Sequence, residues 1–501
     1  MICLCLSGTT LESWGEQLER NRRWISLVEL RVDLLKPAER VPATIRRWWE
    51  SVDTGLPLIL TIRRPRDLGR WEGDEAQRAY LFEELLDELH PTYVDLELDR
   101  LGEPAWDRIA QRVHAAGGTI IRSHHEPRET PQELSPLVAR LAGRSREIPK
   151  LAVQTNSTAD LLALLRAAEE FKHRMPGRRA LWVGMGDHGA LTRVCPSRFR
   201  SAWTYASDGE QEAPAPGQID PQTLKELYRV EEAHPEWPLF AVIGNPVGHS
   251  RSPEYHNNRF IDRRRPAVYV PLLVDDFSLF PELADLLGLY GASVTVPHKE
   301  AARRLAGDNA EDGGTGALNT LLRVKSDDGS LRWRGINTDI EGFLDALRGA
   351  STLPAGAKAA VIGAGGAARA IVAGLFRESL VVHLFNRTVE RAGDLARELG
   401  VPQDNVHGLP EIAQPEGERF DVIVQTTSVG MDGTTDPIPF YRFHGGETVL
   451  DIIYTPRETP LLARARAAGC GTLNGETMFR RQAELQFDAF CRLIDDGEEC
   501  R

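Results

Sequence analysis

In the stretch Glu147-Ile-Pro-Lys-Leu-Ala-Val153, Lys150 stands among apolar residues and carries an amine that could act as a nucleophile. Burying an ammonium group is strongly unfavourable, so a lysine in such a run either wastes free energy or serves a reaction. An uncharged lysine can attack a ketone to form an imine. The protonated imine acidifies the adjacent carbon, and a nearby histidine could remove that proton and then protonate a leaving hydroxyl group.

Other polar residues end or follow the β-rich runs of the first half: Glu29, Arg31, Arg63, Asp95, Glu97, His124, His125 and Arg193. A guanidinium group offers a bidentate fork, so Arg193, with Ser201 and Gln218, would clamp a substrate carboxylate. Taken singly, a strand-end charge is usually solvated, a lone histidine is usually structural, and inward pairs such as Glu29 with Arg31 can be internal ion pairs. Together they predict elimination of water from a hydroxy-ketone acid.

Eight short β-rich runs must position these groups: Ile2–Ser7, Leu27–Leu34, Leu58–Arg63, Tyr93–Leu98, Thr119–His124, Lys150–Gln154, Ala180–Met185 and Ser201–Tyr205. Stretches with helical spacing lie between most of them. The alternation predicts an α/β fold, an N-terminal (β/α)8 TIM barrel, whose catalytic groups meet at the C-terminal ends of the strands.

Residues 1–220 resemble type I 3-dehydroquinate dehydratase through motifs that occur in order: Glu-Leu-Arg-Val-Asp (29–33), Thr-Ile-Arg (61–63), Trp-Glu-Gly (71–73), Ser-His-His-Glu (123–126), Pro-Lys-Leu-Ala-Val (149–153) and Pro-Gly-Gln (216–218). The resemblance implies that Lys150 is the Schiff-base lysine and His125 the general acid/base, with Glu72 or Glu29 assisting. It also implies that substrate is held by Arg31, Arg63, Arg193, Ser201 and Gln218. The family commonly has His-Asp-Phe where this chain has His125-Glu126-Pro127.

The second half begins with a smaller α/β region whose polar residues suit a polyol: Ser250, Ser252, Thr295, Lys299, Asn319 and Asp339. Singly, Lys299 and Asp339 are more often surface charges at helix starts. A strand then leads into Gly363-x-Gly365-x-x-Ala368 and a helix, the context of a dinucleotide-binding loop. After the next strand, Asn386-Arg387-Thr388 with Arg391 stands where an NAD site usually has an acidic residue, which favours NADP.

Residues 239–492 resemble shikimate dehydrogenase through His-Ser-Arg-Ser-Pro (249–253), Val-Thr-Val-Pro-His-Lys (294–299), Asn-Thr-Asp (337–339), Gly-Ala-Gly-Gly-Ala (363–367), Asn-Arg-Thr (386–388) and Asp-Ile-Ile-Tyr-Thr-Pro (451–456). The resemblance implies a catalytic pair, Lys299 with Asp339, and substrate contacts from Ser250, Ser252, Thr295, Asn319, Tyr454 and Gln482. We predict NADP contacts from Gly363, Ala364, Gly365, Gly366, Ala367, Asn386, Arg387, Thr388, Arg391, Thr426 and Met478. Ser293 and Gln425 stand where the family often has asparagine, and we expect them to alter binding detail only.

We predict five segments: a barrel (1–212), a lid and linker (213–236), a substrate-binding domain (237–340), a Rossmann-type NADP-binding domain (341–475) and a C-terminal helix (476–501). The net charge of −13 argues against a nucleic-acid partner. Six scattered cysteines fit a reducing compartment and indicate no zinc site. The sequence therefore predicts a cytoplasmic protein with small-molecule ligands and no membrane partner.

Both resemblances name consecutive steps, so we predict a bifunctional enzyme that dehydrates 3-dehydroquinate and reduces 3-dehydroshikimate to shikimate with NADPH. One alternative is a catabolic quinate/shikimate dehydrogenase fusion that uses NAD. A second is a metabolite-sensing regulator built from inactive enzyme domains. A third is a chain in which only one domain is active.

Overall fold

The computed structural model describes residues 1–210, 215–326, 328–413 and 419–495. Two compact units make up the chain: Met1–Ala241 with Pro246–Leu289, and Val242–Asn245 with the chain from Tyr290 onward. The start of the predicted lid and the end of the predicted C-terminal helix fall on residues 213–214 and 496–501, which lie outside the described residues. The predicted segment limits stay predictions.

Eight parallel strands form the predicted barrel: β1 Ile2–Leu6, β2 Leu27–Arg31, β3 Leu58–Thr61, β4 Tyr93–Glu97, β5 Thr119–Glu126, β6 Ile148–Gln154, β7 Leu181–Met185 and β8 Thr204–Ala206. Its helices are α1 Leu11–Asn21, α2 Pro42–Val52, α3 Glu75–Leu89, α4 Pro104–Ala115, α5 Ser135–Ala142, α6 Thr158–Arg174 and α7 Ala190–Val194. β8 pairs with β1, and a single bridge between Ala180 and Ser201 joins β7 and β8. The TIM-barrel prediction is therefore confirmed.

The barrel interior changes character along each strand. Inward positions near the strand starts are apolar and pack into one cluster that includes Leu27, Ile59, Ile121 and Trp203. Because side chains on one face recur every second residue, the next inward positions are Glu29 after Leu27 and Ser123 after Ile121. The apolar layer closes one end of the barrel and leaves a polar mouth at the other.

The chain continues through β9 Leu239–Gly244, α8 Ser252–Asp262, β10 Val268–Leu273, α9 Phe280–Leu287, β11 Leu289–Val294, α10 Lys299–Ala306, β12 Ala310–Glu311, β13 Thr320–Lys325, β14 Leu331–Ile336 and α11 Asp339–Ala350. Within the second unit, β13 pairs antiparallel with both β11 and β14, and β12 pairs parallel with β14. The turns after β11 and β14 lead directly into α10 and α11, so both helices begin near one end of this sheet.

The last part is a parallel sheet with helices: β15 Lys358–Ile362, α12 Gly366–Arg377, β16 Val381–Asn386, α13 Val389–Leu399, β17 Val406–Gly408, β18 Val422–Gln425, β19 Thr448–Asp451, α14 Pro460–Ala467, β20 Gly471–Leu473 and α15 Glu476–Asp495. The strand order is β17-β16-β15-β18-β19-β20. Numbered within the domain this is 3-2-1-4-5-6, the order of a Rossmann fold. The order reverses between β15 and β18, and a dinucleotide binds at that point in such folds.

Candidate active sites

An open cavity lies at the polar mouth of the barrel and has an empty volume of about 460 Å³. Seven residues predicted for the first site line it: Glu29, Arg31, Arg63, His125, Lys150, Arg193 and Gln218. Cys5, Asp67 and Tyr205, which the sequence analysis did not single out, line it too.

Lys150 is buried on β6, and its Nζ donates a hydrogen bond of 3.0 Å to Oδ2 of Asp95 on β4. Asp95 also accepts two hydrogen bonds from Arg63, at 2.7 and 3.0 Å, and one from Ser123 at 2.5 Å. Burial alone would raise the pKa of Asp95, but the charges of Arg63 and Lys150 hold it well below its usual value. Asp95 is therefore an ionised counterion for the lysine, a role that the sequence analysis did not assign to it.

The two adjacent histidines of β5 face opposite sides of the strand. His125 lines the cavity, whereas the ring of His124 lies 3.0 Å from Glu126 on the other face. Burial, helped by the charges of Arg63 and Lys150, lowers the pKa of His125 well below its usual value. Its buried Nδ1 has no hydrogen-bond partner among the described residues. A neutral imidazole with a free nitrogen is suited to accept a proton.

Glu29 and Arg31 are held by separate partners. The Glu29 carboxylate accepts hydrogen bonds from the Thr61 hydroxyl at 2.7 Å and from the Cys5 thiol at 3.0 Å. Arg31 makes a bidentate ion pair with Asp33, at 3.0 and 2.9 Å. Glu29 and Arg31 therefore do not pair with each other, although Arg31 does belong to an ion pair inside the barrel.

Arg193 supplies positive charge at the mouth without a carboxylate partner among the described residues. Its Nη2 donates to the backbone oxygen of Pro216 at 2.9 Å, and its buried Nε has no partner there. Burial lowers the pKa of Arg193 to about 10. Gln218 lies two residues after Pro216, and its buried Oε1 also lacks a partner among those residues. The unpartnered Nε of Arg193 is suited to a ligand carboxylate, whereas Oε1 of Gln218, an acceptor, is suited to a ligand hydroxyl group.

Two predicted residues do not line the cavity. Ser201 lies before β8, where it forms a bridge with Ala180 just before β7. Its hydroxyl accepts a hydrogen bond from the backbone N–H of Trp182 at 3.3 Å, and its contact with a substrate carboxylate stays a prediction. Glu72 lies in the exposed loop just before Asp74, the N-cap of α3.

The second predicted catalytic pair is formed in the second unit. Lys299 begins α10, and its Nζ donates a hydrogen bond of 2.6 Å to Oδ2 of Asp339, which begins α11. Asn319 donates to Oδ1 of Asp339 at 2.8 Å and to Oε1 of Gln482 at 3.3 Å. Gln482 comes from α15, so this helix contacts Asn319 beside the Lys299–Asp339 pair.

The remaining predicted substrate contacts lie on several elements. Thr295 follows β11, where its backbone N–H donates to Ile243 at 2.9 Å, and the Tyr454 ring packs 5.0 Å from that of Phe479 on α15. Ser250 and Ser252 lie at the start of α8 in the other compact unit, joined by a 3.2 Å hydrogen bond. Their contact with the shared ligand stays a prediction.

The predicted dinucleotide loop joins β15 to α12. Gly363 has a φ of +109°, and a side-chain carbon there would meet Oγ1 of Thr426, which follows β18, at 2.5 Å. A carbon built on Gly365 meets nothing within 4 Å, which leaves open space before the start of α12. A carbon on Gly366 would lie 3.2 Å from Cδ of Lys299. The open space at Gly365 would let a pyrophosphate approach the N-terminus of α12 closely. The loop also passes directly beside the predicted catalytic lysine.

At the end of β16, Arg387 and Arg391 are exposed, and neither side chain is paired with a described residue. The Asn386 amide donates to the backbone oxygen of Thr388 at 2.8 Å and shapes this turn at the start of α13. Two free guanidinium groups beside a helix N-terminus fit a 2′-phosphate. Met478 on α15 is buried against the core of the parallel sheet.

Ser293 and Gln425, which depart from the family pattern, are both hydrogen-bonded. Ser293 donates to Oε1 of Gln486 at 2.8 Å, and Gln486 donates to the backbone oxygen of Asn319 at 3.0 Å. The Gln425 amide bonds the backbone of Thr427 and Val429. Gln486 was missed by sequence analysis, although it lies four residues after Gln482 on the same face of α15.

Within the described ranges, no helix is long and apolar enough to cross a membrane, and no group of three or more potential metal ligands was found.

Comparison with known proteins matches three family models in order along the chain. Residues 2–235 match "Type I 3-dehydroquinase", residues 242–321 match "Shikimate dehydrogenase substrate binding domain", and residues 349–431 match "Shikimate / quinate 5-dehydrogenase". The residues of the first site lie within the first match. Of the second site, Lys299 and Asn319 lie within the second match and the Gly363–Gly366 loop within the third.

Three curated relatives cover between half and nearly all of this chain. A bifunctional 3-dehydroquinate dehydratase/shikimate dehydrogenase of Arabidopsis thaliana, named chloroplastic, is 32% identical over 93% of this chain and 78% of its own length. Shikimate dehydrogenases (NADP(+)) of Syntrophobacter fumaroxidans and Acidiphilium cryptum are each 40% identical, over 50% and 52% of this chain and 86% and 93% of their own lengths. The chain therefore belongs to the family of bifunctional 3-dehydroquinate dehydratase/shikimate dehydrogenases.

Proposed function

We propose that the barrel residues of this bifunctional enzyme perform the dehydration through an imine on Lys150. The amine adds to the substrate ketone, and loss of water gives a protonated imine. His125 then removes a proton from the carbon beside the imine and returns it to the departing hydroxyl group, so that water leaves. Hydrolysis of the imine releases the enone acid. The observation that carries this proposal is a buried lysine–aspartate pair in one cavity with a neutral histidine.

Substrate orientation in this proposal comes from the charges around the mouth. Arg193 binds the substrate carboxylate in this proposal, because its buried Nε has no partner among the described residues. Gln218 contributes its amide N–H, which otherwise donates only a long hydrogen bond of 3.5 Å to Sγ of Cys5. Glu29 and Arg31 on β2 contact the hydroxyl groups of the substrate ring in this proposal. Each side chain is already oriented by its own hydrogen bonds. Preset partners of this kind lower the entropy lost when the substrate is oriented.

For the second reaction, we propose that Lys299 donates a proton to the carbonyl oxygen of 3-dehydroshikimate. Asp339 holds the ammonium group at 2.6 Å, and Asn319 orients Asp339 from its other oxygen. NADPH, when bound at the loop of Gly363 to Gly366, supplies the hydride. Arg387 and Arg391 bind its 2′-phosphate in this proposal, because they are exposed and without partners among the described residues.

The direct test gives purified protein 3-dehydroquinate and NADPH and measures nicotinamide oxidation and shikimate together. Equal amounts of both products are expected. The Lys150→Met variant should oxidise NADPH only when 3-dehydroshikimate is supplied, and Lys299→Met should accumulate 3-dehydroshikimate. NADPH oxidation from 3-dehydroquinate by Lys150→Met would refute the assignment of the first step.

We also propose that the protein works in a reducing compartment, the cytoplasm, on small anionic molecules rather than nucleic acid. The five described cysteines are unpaired and buried, which is usual where thiols stay reduced. Cell fractionation with activity measurements tests the location, and a retardation assay with DNA and RNA tests the expected lack of binding.

A further inference from the structure

The ring of Tyr205 lies against the atom that forms the imine. Its centroid is 4.5 Å from Nζ of Lys150, within the distance at which a cation is attracted to an aromatic face. Tyr205 is buried on β8 and lines the dehydratase cavity. We propose that Tyr205 takes part in the dehydration by stabilising the positive charge of the Lys150 imine with its ring face. The proposal rests on the imine role proposed for Lys150.

The hydrogen bonds of the lysine change when the imine forms, whereas the ring contact does not depend on them. An ammonium group has three N–H donors, and a protonated imine has one. Asp95 can keep that single donor, but it is already shared with Arg63 and Ser123. A cation–π interaction needs no donor, so the Tyr205 face still contacts the charge after two donors are lost.

The position of the ring is fixed by aromatic packing below it. Tyr205 meets Trp203 edge-on with centroids 6.3 Å apart, and Trp203 packs 4.9 Å from Tyr93. All three belong to the inner face of the barrel, on β8, the segment before it, and β4. A ring held by this packing loses little entropy when a cation lies on its face, so the contact is preorganised for the intermediate.

The charged and titratable groups around this nitrogen fall into two sets. Cys3, Asp95 and His125 interact with Lys150 electrostatically, and Cys5, Glu29, Arg31, Arg63, Asp67 and Arg193 line the same cavity. Of the anions among them, Asp95 contacts Nζ directly, while Glu29 is held by Cys5 and Thr61. Arg63 and Arg193 repel a cation at Nζ. Burial, strengthened by Glu29 and Cys3, raises the pKa of Tyr205 well above its usual value, so the ring stays uncharged.

Three replacements of Tyr205 separate the ring face from the volume it fills. Tyr205→Phe keeps the face, Tyr205→Leu replaces it with a smaller apolar side chain that has no ring, and fluorinated phenylalanines at position 205 weaken the face in steps while nearly keeping its volume. We expect Tyr205→Leu to lower the dehydratase kcat about five- to thirtyfold, as estimated for loss of a desolvated cation–π contact. Tyr205→Phe should stay within about twofold, and kcat should fall with each added fluorine.

The alkaline limb of the kcat profile reports the bound imine, which must be protonated for elimination. Without the ring face this limb should move to lower pH by about one unit. A residue that only fills space would lower kcat without moving the limb. Equal alkaline limbs for Tyr205→Leu and Tyr205→Phe, or no trend with fluorination, would overturn the proposal.

Two internal controls keep this test separate from the proposed function. Shikimate dehydrogenase activity of the same chains should be unchanged, because it depends on the other residues described above. Borohydride with 3-dehydroquinate should label the peptide containing Lys150 in every variant. Failure to label wild-type protein would refute the imine mechanism itself, whereas labelling with unchanged pH profiles would refute only the role of Tyr205.

Discussion

Replacing each of the two adjacent histidines of β5 separately gives a strong test of the dehydratase site. His125 lines the cavity with Lys150, while His124 turns to Glu126 on the other face of the strand. We expect His125→Gln to lose about a hundred- to ten-thousandfold in kcat, the range for a general acid/base. That corresponds to about 3–5 kcal/mol of barrier. His124→Gln, the matched control, should stay within about threefold because it changes only a partly exposed hydrogen bond to Glu126 outside the cavity.

The assay follows formation of the conjugated enone by ultraviolet absorbance, with dehydrogenase activity as the folding control. Because His125 acts after the imine has formed, borohydride should still label Lys150 in the His125→Gln variant. Comparable losses in both variants, or more than a tenth of wild-type kcat in His125→Gln, would refute the assignment.

The pH dependence of kcat and of stability gives a second test of His125. Burial and the charges of Arg63 and Lys150 lower the pKa of His125, so its base form persists in the folded protein below the usual value of about 6.5. Wild-type kcat should therefore show no acid limb near that value. The unfolded chain binds the proton more readily, so the stabilisation due to neutral His125 is lost as pH falls from about 6.5 toward the folded pKa. His125→Gln should show a smaller loss of stability on acidification.

The remaining predictions concern buried charge and cofactor choice. Asp95→Asn leaves buried Arg63 without its counterion, which should cost about 3–5 kcal/mol and lower the thermal midpoint in calorimetry; an unchanged midpoint would contradict this. Arg387→Ala and Arg391→Ala should each raise KM for NADPH about ten- to a hundredfold and leave KM for NADH nearly unchanged, since each removes a charge-assisted hydrogen bond. Burial raises the pKa of Asp451 to about 6, so the folded state binds its proton more tightly and stability falls as pH rises through that value. Asp451→Asn should resist urea better than wild type at about pH 8 and equally at about pH 4.5.

Much of the barrel could be predicted because its strands combine two readable signals. Apolar runs at regular spacing gave the eight strands, and alternation along β5 already separates His124 from His125. The limits of β8 were harder to predict, because Ser201-Ala-Trp-Thr-Tyr205 is β-prone throughout. The observed strand begins at Thr204, so Ser201 precedes the strand and does not line the cavity at its C-terminal end.

Partner choice among buried charges could not be predicted from sequence. Asp95 and Glu97 lie two residues apart on β4, and nothing in the sequence tells their partners apart. In the structure Asp95 pairs with Lys150, whereas Glu97 pairs with Arg78 of α3. Only the packing of α3 against the barrel decides which carboxylate faces the lysine. Cys5 and Tyr205 were missed for a related reason, because apolar-looking strand residues carry no signal of the group they will touch.

The charges at the mouth suggest why the substrate must be an anion. Arg31 is neutralised by Asp33, and Arg63 and Lys150 share Asp95, but Arg193 has no carboxylate partner among the described residues. Burial lowers the pKa of Arg193, and no carboxylate among the described residues offsets this effect. A ligand carboxylate would complete this pair in a desolvated site, where charge-assisted hydrogen bonds are strongest. In the free enzyme the buried guanidinium group of Arg193 is desolvated without a carboxylate partner, which is unfavourable. A ligand carboxylate would offset this desolvation free energy, whereas a neutral ketone would not.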